Sequence, residues 1–324
     1  MLPRPRMAST LSATLLWCAA VSAHAQYPDK PIRYIVPSAA GGGADVLARL
    51  LAVELTKQMG QQVVVDNRAG ASGRIGMEMI VAAPPDGYTI GYGNTPLLAI
   101  NRALIPNWDF QIGRDLQPIA WMTSSQNLLA VTNALPVKSV RELIEYGKKN
   151  PDLLTFASSG NGTTIHLSGE LFKQMTGVQM RHIPYKAVTV ALTELIAGQT
   201  SMIFDNLTSI TPHAKAGKVR ALAVTGTTRA SNFPELPTIA EAGVPGYDVT
   251  VWTGVVVPAK TPKAIVTRLN AEVNKACVAP TLVEKLTVVG NRCVGSTPEE
   301  FGALAKKETV KWAEVVKRSG ARVD

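Results

Sequence analysis

Short apolar runs alternate with amphipathic stretches along this chain, the pattern of strands and helices taking turns. The apolar runs predict strands at residues 32–36, 63–66, 89–92, 128–131, 155–157, 202–204, 221–225 and 251–257. Helical spacing predicts helices over 44–59, 73–82, 140–149, 164–176, 188–197, 265–277, 281–288 and 298–319. Thr297 is placed to cap the last helix, with Pro298 in its first turn. Pro151, Pro212 and Gly217 punctuate the middle, and no repeat or low-complexity tract occurs. The fold class is therefore α/β. One sheet could hold all these strands. Two lobes suit the pattern better, because two glycine-rich turns each follow a strand, where parallel sheets bind ligands.

The first turn lies in YIVPSAAGGGADVLARLL, where Gly41, Gly42 and Gly43 separate a strand from a helix that Asp45 opens. A glycine turn at a helix start leaves N–H groups bare at the positive end of the helix, a ready seat for an anion. Asp45 can cap free amides there. No Lys-Ser or Lys-Thr follows and the glycines are contiguous, so neither a phosphate-binding loop nor a dinucleotide fingerprint is present. The second turn, FASSGNGTTIHL, offers Ser158, Ser159, Gly160, Gly162, Thr163 and Thr164. Neutral donors in this arrangement suit a carboxylate; plain capping by Thr163 or Thr164 is the alternative. Two such turns suggest a small anion gripped between two lobes.

The N-terminus does not belong to the fold. Arg4 and Arg6, an apolar stretch over 11–21 and the small-residue pattern Ala23-His24-Ala25 read as an export signal cleaved after Ala25, spanning 1–25. The stretch is too short for a membrane anchor, and bulky Trp17 before Cys18 argues against lipid attachment. Losing the two arginines lowers the formal charge of the 324-residue chain from +9 to +7. The basic residues are scattered, which argues against nucleic-acid binding. Cys277 and Cys293 remain. An oxidising compartment favours a disulfide between them; two buried thiols are the alternative.

Other residues have competing roles. Asp205, ending a strand, could receive an ammonium or hydroxyl of a ligand, or cap the next segment. Asn94 and Thr95 end another strand and could line a cleft. Arg68 could pair with a ligand acid or serve structure. His166 could act on Ser158 in a secreted hydrolase, but the nucleophile elbow G-x-S-x-G is absent and a bracing role suits it better. His166, His182 and His213 are far apart in sequence and lack metal-ligand spacing. No metal or other cofactor is implied.

Several landmarks in order carry a resemblance across the mature chain: YPDKPIRYIVPSAAGGGADVLARLL, VVVDNRAGASGRIG, PPDGYTI, FASSGNGTTIHLSGELF, HIPYKAVTVALTELIAGQ, GKVRALAVTG, PELPTIAEAGVPGYDV and TPKAIVTRLNAEVNKA. The chain resembles the substrate-binding proteins of tripartite tricarboxylate transporters, the Bug/TctC family. The resemblance implies a two-lobed flytrap (the type II periplasmic-binding-protein fold) with two crossing strands. Lobe 1 would comprise 26–122 and 250–324, and lobe 2 123–249. It implies a periplasmic, monomeric receptor that binds a small carboxylate without transforming it. The partner would be the membrane subunits of a transporter or, alternatively, a membrane sensor kinase. By motif, Ser38, Ala39, Gly42, Gly43 and Asp45, with Asn94 or Thr95 nearby, would contact the ligand from one lobe. Ser158, Gly160, Thr163, Thr164 and Asp205 would do so from the other. Three residues depart from the family pattern: Ser38 replaces a frequent aromatic, Ala40 a proline and Ala187 a glycine. The first implies a more polar or bulkier ligand than an aromatic-lined pocket takes.

Overall fold

A computed structural model describes residues 27–322; the expected export signal and its cleavage site lie outside them. The elements in order are β1 (Ile32–Val36), α1 (Gly43–Met59), β2 (Val63–Asn67), α2 (Arg74–Val81) and β3 (Thr89–Asn94). A π-helical turn (Pro96–Ile100) then runs into α3 (Asn101–Leu104), followed by β4 (Leu116–Val131), α4 (Val140–Lys149), β5 (Thr155–Ser158) and α5 (Thr164–Thr176). Next come β6 (Arg181–Pro184), α6 (Val188–Ile196), β7 (Met202–Asn206), α7 (Leu207–Lys215) and β8 (Arg220–Val224). The chain ends with β9 (Thr250–Pro258), α8 (Lys263–Cys277), α9 (Pro280–Val288), β10 (Arg292–Cys293) and α10 (Pro298–Ser319).

Local chemistry sets the helix ends. Thr297 accepts the Glu300 N–H (3.1 Å) and Glu300 accepts the Thr297 N–H (2.8 Å), a reciprocal cap behind Pro298. Thr163 accepts the His166 N–H at the start of α5, and Gly177, at φ 71°, ends it. Pro212 does not break the chain as expected: it lies inside α7.

The strands form one path, β2-β1-β3-β9-β4-β7-β5-β6, with β8 and β10 also on β4. β1 is parallel to β2 and β3, and β5 is parallel to β6 and β7. The expected strand at 128–131 is the end of a far longer one. From Leu116 to Gln126 β4 pairs with β9; from Asn127 to Val131 it pairs with β7 and β8. Pro118 and the polar run from Thr123 to Asn127 hide this strand from an apolar pattern. β4 thus belongs to both lobes. The returning strand is stitched to it by Thr225, whose hydroxyl accepts the Asn127 N–H and donates to the Val249 carbonyl, both at 2.8 Å.

α10 spans the junction. Its Phe301 meets Trp252 edge-on in the first lobe, at 5.7 Å between centroids. Further along, the Val315 carbonyl accepts from Gln174 of α5 (3.0 Å) and Lys311 donates to the Asp248 carbonyl (3.3 Å). Cys277 and Cys293 are joined as a disulfide with Cα atoms 5.2 Å apart, tying α8 to β10.

Candidate functional site

β1 and β3 both end at the same edge of the first lobe. Beyond β1, Gly41 turns at φ 78°, and its N–H donates to Asp45 Oδ2 (2.8 Å). The other Asp45 oxygen meets Arg49 Nε at 2.9 Å. Burial opposes ionisation of Asp45, but hydrogen bonds from Arg49, Gly41 and Asn67 outweigh it and hold the carboxyl below its ordinary value. Asp45 thus folds the loop from behind. The first-turn amides of α1 have no side-chain cap, because the capping position is Gly42. Ala39, Gly42 and Gly43 are exposed.

The turn after β2 supports this loop. A Cβ on Gly76 would stand 2.8 Å from Pro37 Cα, so only glycine lets α2 approach so closely. Arg68 takes the structural role, pairing with Asp66 at 2.9 Å. A cavity of about 140 Å³ beside the loop is lined by first-lobe residues alone, among them Pro37, Ser38, Ala44, Tyr92 and Asn94. Ser38 Oγ is buried there without a hydrogen-bond partner. Asn94 accepts the Leu97 N–H (3.0 Å). Thr95 is fully buried, and its hydroxyl accepts the Trp252 N–H (3.0 Å).

In the second lobe, Ser158 ends β5. Its hydroxyl accepts the Gly160 N–H (3.0 Å) and lies 2.6 Å from His182 Nε2. Thr163 donates to the Gly160 carbonyl (2.9 Å), closing the turn. The buried Thr164 gives its carbonyl to Ser168 (2.6 Å), and Ser168 accepts from Asn127 of β4 (3.1 Å). The turn is therefore wired to the crossing strand. His166 braces the turn by accepting the Gly162 N–H at Nδ1 (3.1 Å). The histidine paired with Ser158 is His182, not His166. The two rings, far apart in sequence, stack at 3.9 Å between centroids. His182 sits on β6, a four-residue strand with no apolar run to announce it, so its pairing with Ser158 was not legible in the sequence.

Asp205 is fully buried at the end of β7. It accepts the Asn206 N–H (2.7 Å) and the Ser209 hydroxyl (2.6 Å), so it shapes the start of α7. Burial pushes its carboxyl up to about 7, against the pull of those two hydrogen bonds. Among the described residues, no hydrogen bond joins the first turn to the second. Nor do three or more His, Cys, Asp or Glu side chains cluster to hold a metal there.

A family model described as "Tripartite tricarboxylate transporter family receptor" matches residues 47–321. A Pseudomonas sp. (strain P51) relative, the "UPF0065 protein in tcbD-tcbE intergenic region", is 40% identical over 291 residues, covering 90% of this chain and 86% of the relative. Among solved structures, R. palustris Rpa4515 with adipate superposes with a TM-score of 0.79 at 38% identity, covering 91% of this chain and 99% of that one. MatC from Rhodopseudomonas palustris with bound malate gives 0.74 at 30% identity, covering 90% and 100%.

Proposed function

This chain belongs to the tripartite tricarboxylate transporter receptor family, and we propose that it binds a small dicarboxylate between its lobes for delivery to the membrane subunits of such a transporter. The observation that carries this reading is the pairing of two glycine-rich turns. Each ends a parallel strand and opens a helix, one on either side of the β4–β9 crossing. Each turn offers backbone N–H groups and hydroxyls in place of a buried cation, which suits one carboxylate per lobe. The similarity to proteins solved with adipate and with malate supports a ligand with an acid at each end.

Ser38, Ala39, Gly42 and Gly43, with Asn94 beside them, take one carboxylate; Ser158, Gly160 and Thr163 take the other. Asp45 holds the first turn from behind, Thr164 ties the second to Ser168, Thr95 bonds Trp252 and Asp205 shapes the start of α7. The lobes divide near 123 and 249, where β4 and the Thr225 stitch form the hinge. Ligand that touches both turns favours the closed arrangement by its differential affinity, and closure is the signal a membrane partner reads. The protein works as a periplasmic monomer after cleavage at Ala25.

A thermal-shift screen of mature protein, unfolded and refolded to remove carried ligand, tests the reading. A dicarboxylate at ten times its Kd is expected to add about 1.4 kcal/mol and raise the Tm by a few degrees. A folded sample that no mono-, di- or tricarboxylate shifts would overturn it.

A further inference from the structure

A second and larger cavity, about 430 Å³, lies where the lobes meet. Neither glycine-rich turn contributes to it. On β4, the Thr123 hydroxyl meets that of Thr253 (2.7 Å) and the Asn127 amide meets Ser168 of α5 (3.1 Å). Ser124, Ser125 and Gln126, between those two, line the cavity together with Thr250, the cross-strand neighbour of Gln126. The first lobe adds Trp121 and the turn into β10; the second adds Leu207 and residues 226–232. The two lobes touch here, since Ser125 donates to the Gly290 carbonyl (3.1 Å) and Thr208 to that of Val289.

Its volume falls within the range of small-molecule sites, roughly 300–1,000 Å³. The lining is mixed. Trp121 is half-buried, and its indole N–H is spent on the Thr123 carbonyl (2.7 Å), so the ring offers only its apolar surface. Arg229 is tied to Glu241 (2.9 Å), whereas Arg292, an exposed side chain at the cavity's rim, makes no ion pair among the described residues. The half-buried Ser124 and the exposed Thr227 and Ser231 also line it, their hydroxyls without a protein partner among the described residues.

We propose that this cavity is a second binding site, distinct from the cleft between the glycine-rich turns, for a small organic anion with a flat apolar body. The body packs on Trp121, the anionic group pairs with Arg292, and the free hydroxyls complete its hydrogen bonds. The site is built on side chains that the proposed carboxylate cleft does not use, and it stands or falls separately.

Fluorine NMR of mature protein labelled with fluorotryptophan tests it, with benzoate as the probe and Trp121→Phe to assign the resonance. Benzoate is expected to move the Trp121 resonance saturably. Arg292→Glu is expected to weaken that effect about tenfold or more, as loss of a charged hydrogen bond should, and Arg292→Lys to restore most of it. Ser158→Ala, in the other site, is expected to leave the shift in place. A Trp121 resonance that benzoate does not move, that moves equally in Arg292→Glu, or that stops moving in Ser158→Ala would overturn the proposal. A failure of the carboxylate cleft would leave this signal untouched.

Discussion

His166 and His182 stack with ring centroids 3.9 Å apart, and together they hold both ends of the second glycine-rich turn. One accepts the Gly162 N–H and the other meets the Ser158 hydroxyl. Burial, then the neighbouring ring and Lys173, push His166 from 6.5 down to about 3; burial and Lys173 push His182 down to about 4. Both rings are neutral at neutral pH. The unfolded chain takes up these protons as pH falls through 6.5, and the folded protein does not until far lower. The pair's contribution is therefore fully present above pH 6.5 and fades as pH falls toward 3. Imidazole proton resonances at pH 5 are expected at their neutral positions. Titration of either ring near 6.5 would contradict this.

Asp205 acts in the opposite sense. Its folded value, about 7, lies above the ordinary 3.8, so the folded state holds a proton that the unfolded state has lost. Its contribution is fully present below pH 3.8 and declines as pH rises through 7. The Tm of wild type minus that of Asp205→Asn is expected to fall steadily between those limits. A difference that does not change with pH would show that the carboxyl is not shifted.

Ser38 leaves an unpartnered hydroxyl against a 140 Å³ cavity. Phenylalanine at this position fills that space. Ser38→Phe is expected to lower affinity for the natural ligand about tenfold or more, equivalent to about 1.4 kcal/mol, in a protein that remains folded. Equal affinity in the two proteins would mean that the ligand does not reach this wall.

The Cys277–Cys293 bridge closes a loop with a sequence separation of 16 and anchors β10 beside β4. A loop of that size corresponds to about 3 kcal/mol of stability. Urea unfolding of Cys277→Ser/Cys293→Ser is expected to show a loss of that order, and unreduced mature protein to show no reactive thiol on unfolding. Two reactive thiols, or an unchanged midpoint, would remove the bridge from the account.

Elements with an apolar face and clear ends were legible in the sequence. The expected bounds of α4, α5 and α10 match because Ser139, Thr163 and Thr297 cap them, and Gly177 and Gly320 end the last two. β4 was not legible beyond its last residues, because a strand shared by two lobes carries polar side chains where it crosses. α7 was missed because a proline at Pro212 reads as a break, and β10 because it has only two residues. Within the candidate site, the turns were visible as glycine and hydroxyl clusters. The partners behind them were not: Arg49 on Asp45, His182 on Ser158 and Asn127 on Ser168 are contacts that only the folded chain brings together.

Isothermal titration of refolded mature protein with adipate and malate, beside Ser158→Ala and Gly43→Pro, tests the central claim most directly. One variant removes a hydroxyl from the second turn, and the other alters the first turn where α1 begins. The expected result is one-to-one binding of a dicarboxylate by wild type, weakened about tenfold or more in each variant. Binding that survives in either variant, or a folded wild type that binds neither acid nor any other dicarboxylate, would contradict a receptor that grips its ligand from both lobes.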